Sequence, residues 1–171
     1  MKNFRLFFLI FVHTLFLSAF IYLLSNYLSQ TKAVSQTIPI PVTYLVTRVI
    51  DGDTFEIDGG VKVRLIGVDT PELNGGKSKI QCYALEAKNK ISSLILNKFV
   101  VLEKDVSETD KYGRLLRYVY LDGSLVNDQL VKEGYARIAT FAPDVKHSDR
   151  FVLSEREARD ENVGLWSSCP N

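Results

Sequence analysis

The sequence predicts an α+β protein that is mainly β: a five-stranded barrel of the OB type with three helices, preceded by a hydrophobic N-terminal helix. Three observations predict it. Five short stretches between Thr43 and Leu121 are rich in β-branched and aromatic residues, the composition of strands, and some of them alternate apolar with polar residues. A helical period first appears between the third and fourth of these stretches, and three strands, a helix, then two strands is the order of an OB barrel. A long uncharged run stands apart at the N-terminus.

That run opens the chain. Lys2 and Arg5 precede Leu6 to Leu24, 19 residues without a charge. At about 1.5 Å per residue the run makes roughly 28 Å of helix, close to the ~30 Å hydrocarbon core of a bilayer. A cleaved signal peptide has an apolar region of only ~7–15 residues and a small-residue cleavage site. Here the best such pattern, Thr31-Lys32-Ala33, is weak. The reading is an uncleaved single-pass membrane anchor, with a cleaved signal as the alternative. Either exports the rest of the chain, since the positive charges stay inside. The folded part is thus expected outside the cytoplasm, on the cell membrane or secreted. His13 and Thr14 within the run read as tolerated polar residues.

Residues 25–41 are rich in Ser, Gln and Thr and end in Ile38-Pro39-Ile40-Pro41, the composition of a flexible tether stiffened by prolines. The organisation expected is therefore anchor or signal 1–24, tether 25–41 and folded domain 42–171, the last long enough to bury a core.

Within the domain, Thr43 to Ile50 reads as the first strand and Asp51-Gly52-Asp53 as a tight turn. Thr54 to Asp58 is the second strand, and Gly59-Gly60 a hairpin turn. Val61 to Val68 is the third strand, with Val61, Val63 and Leu65 on one face and Lys62 and Arg64 on the other. Pro71 stops it, because proline cannot donate to a ladder. Residues 74–79 read as a mobile loop. A helix follows from Gln81 to Leu96, with Leu85, Lys88, Ile91 and Ile95 at helical spacing. Lys98 to Asp105 and Arg114 to Leu121 are the last strands, joined by a polar turn. Leu125 to Glu133 is a short helix closed by Gly134, and Asp149 to Glu161 the final helix.

From Ile38 onward the chain carries 18 Lys/Arg and 20 Asp/Glu, a net of 18 − 20 = −2. This excludes a globally basic nucleic-acid binder, so any polyanion must be held by local arginines and lysines or through a metal. Cys82 and Cys169 are the only cysteines. In an exported domain such a pair forms a disulfide more readily than two free thiols. Closing that loop is worth about 4–5 kcal/mol at most in the chain-entropy model. With no C-x-x-C and no nearby histidine pair, a cysteine metal site is not expected.

The chemistry-bearing residues are ordinary one at a time. Asp51-Gly52-Asp53-Thr54 is common turn chemistry, Asp69 and Glu72 are strand-end carboxylates, and Arg64 alone is a surface arginine. Together they differ. Asp53, Arg64, Asp69, Glu72 and Arg114 all fall at the ends of elements that a barrel gathers at one rim. Two arginines and three carboxylates in one place are costly unless they bind phosphate and a cation.

Val49-Ile50-Asp51-Gly52-Asp53-Thr54, Arg64-Leu65-Ile66-Gly67-Val68-Asp69-Thr70-Pro71-Glu72 and Thr109-Asp110-Lys111-Tyr112-Gly113-Arg114, in this order, resemble the staphylococcal nuclease-like (thermonuclease) domain family. Weaker echoes are Tyr83-Ala84-Leu85-Glu86-Ala87, Leu125-Val126-Asn127, Gly134-Tyr135-Ala136 and Gly164-Leu165-Trp166, so the resemblance spans about Val42 to Trp166. It implies a calcium-dependent nuclease that hydrolyses phosphodiester bonds of DNA or RNA and leaves 3′-phosphate products. Asp53, Asp69 and the carbonyl of Thr70 would ligate Ca²⁺, an oxygen-only set that suits a hard cation. Glu72 would orient or deprotonate the attacking water. Arg64 and Arg114 would hold the phosphate, and Lys111 and Tyr112 would contact the nucleotide's terminal phosphate. The partners expected are nucleic acid and, through the N-terminal segment, a membrane; the domain is expected to be a monomer.

One departure stands out. Two tyrosines that pack on the nucleotide in the family prototype correspond here to Thr140 and Ala142, with Phe141 between them. Losing both rings weakens stacking, worth about 1–3 kcal/mol per base. Tyr135 and Trp166 read as core or cap aromatics rather than base platforms. The alternative function is a catalytically silent OB-fold module that binds nucleic acid or protein at the cell surface. Such modules of this fold typically lack one or more of the metal and arginine positions, and this chain retains all five.

Overall fold

The computed structural model describes residues 2–32, 41–73 and 80–169, and the chain divides into two compact units, Met1–Ile40 and Pro41–Asn171. In the first unit, helix α1 spans Lys2–Lys32. It runs past Leu24 and so takes in the start of the segment read as a tether; residues 33–40 lie outside the described residues. Among the described residues no helix is long and apolar enough to cross a membrane, so the expected spanning helix finds no support there. The described side chains of α1 begin only at Val12, so part of the run from Leu6 lies outside them.

The second unit is a closed barrel. Strands β1 (Thr43–Val49), β2 (Thr54–Ile57) and β3 (Val61–Leu65) form an antiparallel meander. A 3-10 turn, Asp58–Gly60, joins β2 to β3. After β4 (Gly67–Asp69) and helix α2 (Ala84–Ile95), strand β5 (Phe99–Glu103) pairs antiparallel with β1. Strand β6 (Leu115–Leu121) pairs antiparallel with β5 and parallel with β3. That last pairing closes five strands into the expected OB-like barrel. A short β7 (Ser124–Leu125) extends the sheet from β6 and leads into α3 (Val126–Lys132). Strand β8 (Arg137–Ala139), helix α4 (Ser148–Asp160) and a single turn α5 (Leu165–Ser168) complete the unit.

The third strand is shorter than its sequence pattern suggests. It breaks at Ile66, and β4 leaves the barrel to pair with β8 in a separate two-stranded sheet. Gly67 makes the break, with φ +76° and a position where a Cβ would lie 2.6 Å from the Phe151 ring. The break matters for function. Unbroken alternation from Val63 and Leu65 would turn Asp69 to the buried face; instead Val68 is buried and Asp69 faces solvent.

Helix α2 also sits differently from the expected register. Its buried face is Ala84, Ala87, Ile91 and Ile95, whereas Leu85 is exposed and Lys88 half-buried. The small residues are inward because the β1–β2 turn passes close: a Cβ on Gly52 would lie 2.9 Å from the Ala87 methyl. The barrel interior is filled by Val46, Phe55, Val63, Leu65, Val100 and Val119, capped by Leu130 and Phe151 from the helices. Buried Asn127 pins β3 to β6, donating to the Ile66 carbonyl (2.9 Å) and accepting from the Val119 N–H (2.9 Å). The loop expected at 74–79 lies outside the described residues.

Candidate active site at the barrel rim

The rim site starts from the β1–β2 turn. Asp53 is buried, and its carboxylate is held on every side. Oδ1 accepts from the Thr54 hydroxyl (3.0 Å), and Oδ2 accepts from the Thr70 N–H and hydroxyl (both 3.1 Å). Gly52 allows this approach, since a Cβ there would lie 2.5 Å from Thr70 Oγ1.

Arg64 lies opposite Thr54 on β3. Its Nη1 forms an ion pair with Asp53 Oδ2, and its Nη2 donates to Asp69 Oδ1 (3.0 Å). The guanidinium is largely buried, and Nη1 has no well-directed hydrogen bond. Arg114, just before β6, joins the same group through Thr54, donating from Nη1 to Oγ1 (3.2 Å). Its Nε donates to Asp110 Oδ2 (2.6 Å) and its N–H to Asp110 Oδ1 (3.0 Å). Five sequence-predicted residues, Asp53, Arg64, Asp69, Thr70 and Arg114, are therefore one assembly joined by hydrogen bonds and ion pairs.

Glu72 stands beside it. Burial, then the charges of Asp53 and Asp69, raise its carboxyl above the ordinary glutamate range, and Arg64 and Arg114 oppose the rise. Asp51 is pushed up to about 6 by burial and then by the charge of Asp53. Asp110 is held low: burial works against it, and the hydrogen bonds from Arg114 and Tyr112 outweigh burial.

Lys111 and Tyr112 line a cleft of about 540 Å³ together with Arg64, Arg114, Leu116 and Phe141. Tyr112 is 72% exposed, with Lys111 Nζ 5.0 Å and Arg114 Cζ 5.5 Å from its ring centre. Phe141 is 76% exposed. The segment that lacks tyrosines thus still offers one free ring to the cleft, at the position between them. Cys82 and Cys169 form a disulfide with Cα atoms 5.8 Å apart.

Sequence reasoning left out Asp51, Thr54, Asp110 and Gln81 as site residues. Asp110 carried a usable signal, four residues before Arg114 across a tight turn. Thr54 acts by a contact with Arg114 that barrel closure creates, and Gln81 by contacts with Glu72 across the loop that follows β4.

The donor chemistry fits a hard divalent cation. Asp53 and Asp69 converge on one guanidinium, and Asp51 and Glu72, whose carboxyls are raised first by burial and then by neighbouring carboxylates, add two more oxygen donors beside them. Among the described residues no group of three or more His, Cys, Asp or Glu could hold a metal ion, so backbone carbonyl and water must complete any such shell.

Comparison with known proteins gives a consistent picture. The profile of the family described as staphylococcal nuclease homologue matches residues 62–168. The thermonuclease of Staphylococcus hyicus is 40% identical over 129 residues, covering 74% of this chain and 76% of that protein. The thermonuclease of Staphylococcus intermedius is 41% identical over 127 residues, covering 72% and 76%. Endonuclease YncB of Bacillus subtilis (strain 168) is 42% identical over 131 residues, covering 74% of this chain but only 62% of that longer protein.

Proposed function

From the premise that this chain belongs to the staphylococcal nuclease homologue family, we propose that it is a calcium-dependent endonuclease that hydrolyses DNA or RNA to 3′-phosphate products. It is a hydrolase of nucleic-acid phosphodiester bonds. The observation that carries the finer reading is the pair Arg64 and Arg114, both tied to the Asp53–Thr54 corner and both lining the cleft that holds Lys111 and Tyr112.

In this reading Asp53, Asp69 and the Thr70 carbonyl would hold the cation, and Arg64, which contacts both carboxylates, lies beside them to bind phosphate. The bound cation supplies Lewis-acid polarisation of the phosphate and a template for in-line attack. Arg64 and Arg114 bind the non-bridging oxygens by charge-assisted forks and stabilise the charge that grows on them. Glu72 accepts a proton from water; its raised carboxyl makes it a better base than an ordinary glutamate. The water oxygen bonds to phosphorus, the bond to the 5′-oxygen breaks, and that oxygen takes a proton from solvent. Lys111 holds the terminal phosphate, while the exposed rings of Tyr112 and Phe141 offer faces for bases.

We place the domain outside the cytoplasm as a monomer, held at the membrane by the uncharged N-terminal run or secreted after its removal. What supports this is the length of that run in the sequence and the disulfide. The test of function is digestion of plasmid and RNA by the purified full-length protein with Ca²⁺ or with EGTA. Cleavage that needs Ca²⁺ and leaves 3′-phosphate ends is expected. A folded protein that binds nucleic acid without cleaving it would make the silent binding module the better reading.

A further inference from the structure

We propose that Gln81 is a positioning residue for Glu72, and that the Cys82–Cys169 disulfide acts on catalysis by holding Gln81 in place. The inference rests on the reading of Glu72 as the group that acts on water.

Glu72 and Gln81 close a ring across nine positions of chain. The Glu72 N–H donates to Gln81 Oε1 (2.8 Å), and the Gln81 N–H donates back to the Glu72 carbonyl (3.0 Å). Both residues are exposed, so water competes for each bond, and two such bonds alone hold a chain end loosely. On the Glu72 side the backbone is fixed two residues earlier, where Thr70 gives its N–H and hydroxyl to Asp53. On the Gln81 side there are two anchors. The Gln81 carbonyl accepts from the N–H of Ala84 (3.2 Å), the fully buried first residue of α2. The next residue, Cys82, is bonded to Cys169 directly after α5.

That corner is rigid. Leu165 at the start of α5 is buried and donates its N–H to the Gly134 carbonyl (2.8 Å). Gly134 and Gly164 pass so closely that a Cβ on Gly164 would lie 2.3 Å from the Gly134 oxygen. The disulfide also walls a cavity of about 300 Å³ that it shares with Asp69, Thr70, Pro71 and Gln81. A bond placed for stability alone has no need to sit one residue from the partner of Glu72. Here its constraint passes along one peptide to Gln81 and through two hydrogen bonds to Glu72, and misplacing a reacting group by about 1 Å can cost ~10²-fold in rate.

The experiment is a cycle in the full chain: Gln81→Ala, the double change Cys82→Ser with Cys169→Ser, and all three together. Each is assayed with Ca²⁺ well below its own melting temperature. Gln81→Ala is expected to lower kcat about tenfold with KM within about twofold, since it displaces a reacting group and not the substrate grip. Gln81→Glu, which keeps an acceptor oxygen at the same reach, should restore most of kcat. Opening the disulfide should lower kcat comparably in wild type and add little in the Gln81→Ala background, while lowering the melting temperature equally in both. Wild-type kcat in Gln81→Ala, or rate losses that simply multiply, would overturn the proposal. Glu72→Gln separates the two layers. Full activity there would remove the reading of Glu72 itself, whereas a dead Glu72→Gln beside a fully active Gln81→Ala would remove only the positioning role.

Discussion

The rim carboxylates should make this protein less stable than it could be, and Asp51 is the cleanest place to measure how much. Its side chain is half-buried, and Oδ1 accepts the N–H of Asp53 (3.1 Å), so asparagine can keep the acceptor while removing the charge. In the folded protein burial, then the charge of Asp53, push the carboxyl from 3.8 up to about 6. Between those values the folded state holds a proton that the unfolded chain has released. Folding therefore takes up a proton, and stability falls as pH rises from about 4 to about 6. Above pH 6 both states are ionised and the whole penalty is present. A difference of 6 − 3.8 = 2.2 units corresponds to about 3 kcal/mol as an upper figure. Residual solvent contact and the shared charge of Asp53 and Glu72 bring the expected gain for Asp51→Asn to about 1–3 kcal/mol at pH 7. The assay is urea unfolding in EDTA, followed by the fluorescence of Trp166, the one tryptophan. Asp51→Asn should raise the midpoint at pH 7 and leave it unchanged near pH 4. Added Ca²⁺ should shrink the gain, because a cation offsets the same charge. No gain at pH 7, or an equal gain at pH 4, would refute the electrostatic reasoning.

Other perturbations test other parts of the molecule. Arg64→Lys and Arg114→Lys should each lower kcat about 10²–10³-fold, since an ammonium cannot reproduce a fork on phosphate; near-native rates on a plasmid substrate would remove them from the chemistry. Burial raises the carboxyl of Glu103, but hydrogen bonds from Lys146, Tyr120 and His147 outweigh it and hold it down to about 2, against an ordinary 4.5. Its contribution is full above about 4.5 and lost as pH falls toward 2. Glu103→Gln should therefore cost about 1–2 kcal/mol at pH 7, discounted for exposure of Lys146, and flatten acid unfolding in that window. Gly52→Ala puts a methyl 2.5 Å from Thr70 Oγ1. It should cost about 1–3 kcal/mol in urea unfolding and lower kcat, because Thr70 can no longer reach Asp53.

Much of this was legible in the sequence because local rules and the final fold agree. Alternation placed β2 and β3, turn chemistry placed the β1–β2 corner, and Gly134 ended α3 where its pattern stops. What was not legible came from contacts between distant parts. The strand break at Ile66 answers to Phe151 against Gly67, and β4 exists only because β8 lies beside it. Strands of two or three residues, such as β7 and β8, are too short to show a period. Helix α2 faces inward through Ile91 and Ile95 as its spacing suggests, but in its first turns Ala84 and Ala87 are buried in place of the larger Leu85. At the site Asp53, Arg64, Asp69, Glu72 and Arg114 stood out by type and Asp110 by its spacing from Arg114, whereas Thr54 and Gln81 do their work as partners, and partners are set by geometry.

The charges at the rim also say why the proposed cation and substrate must act together. Arg114 is already matched by Asp110, and Arg64 is shared between Asp53 and Asp69. Asp51 and Glu72 form no ion pair among the described residues, and burial first, then the neighbouring carboxylates, raise both carboxyls. A phosphodiester approaching this rim would meet two arginines already paired with carboxylates, and carboxylates that repel it. A divalent cation held by Asp53 and Asp69 would change both, offsetting the carboxylates and leaving the Arg64 guanidinium available to phosphate. Phosphate oxygens would in turn suit a hard cation that two protein carboxylates alone do not satisfy. Under this reading each ligand raises the affinity for the other by the same factor. A domain whose net charge gives it little long-range pull on a polyanion would then depend on the cation for substrate capture as well as for chemistry.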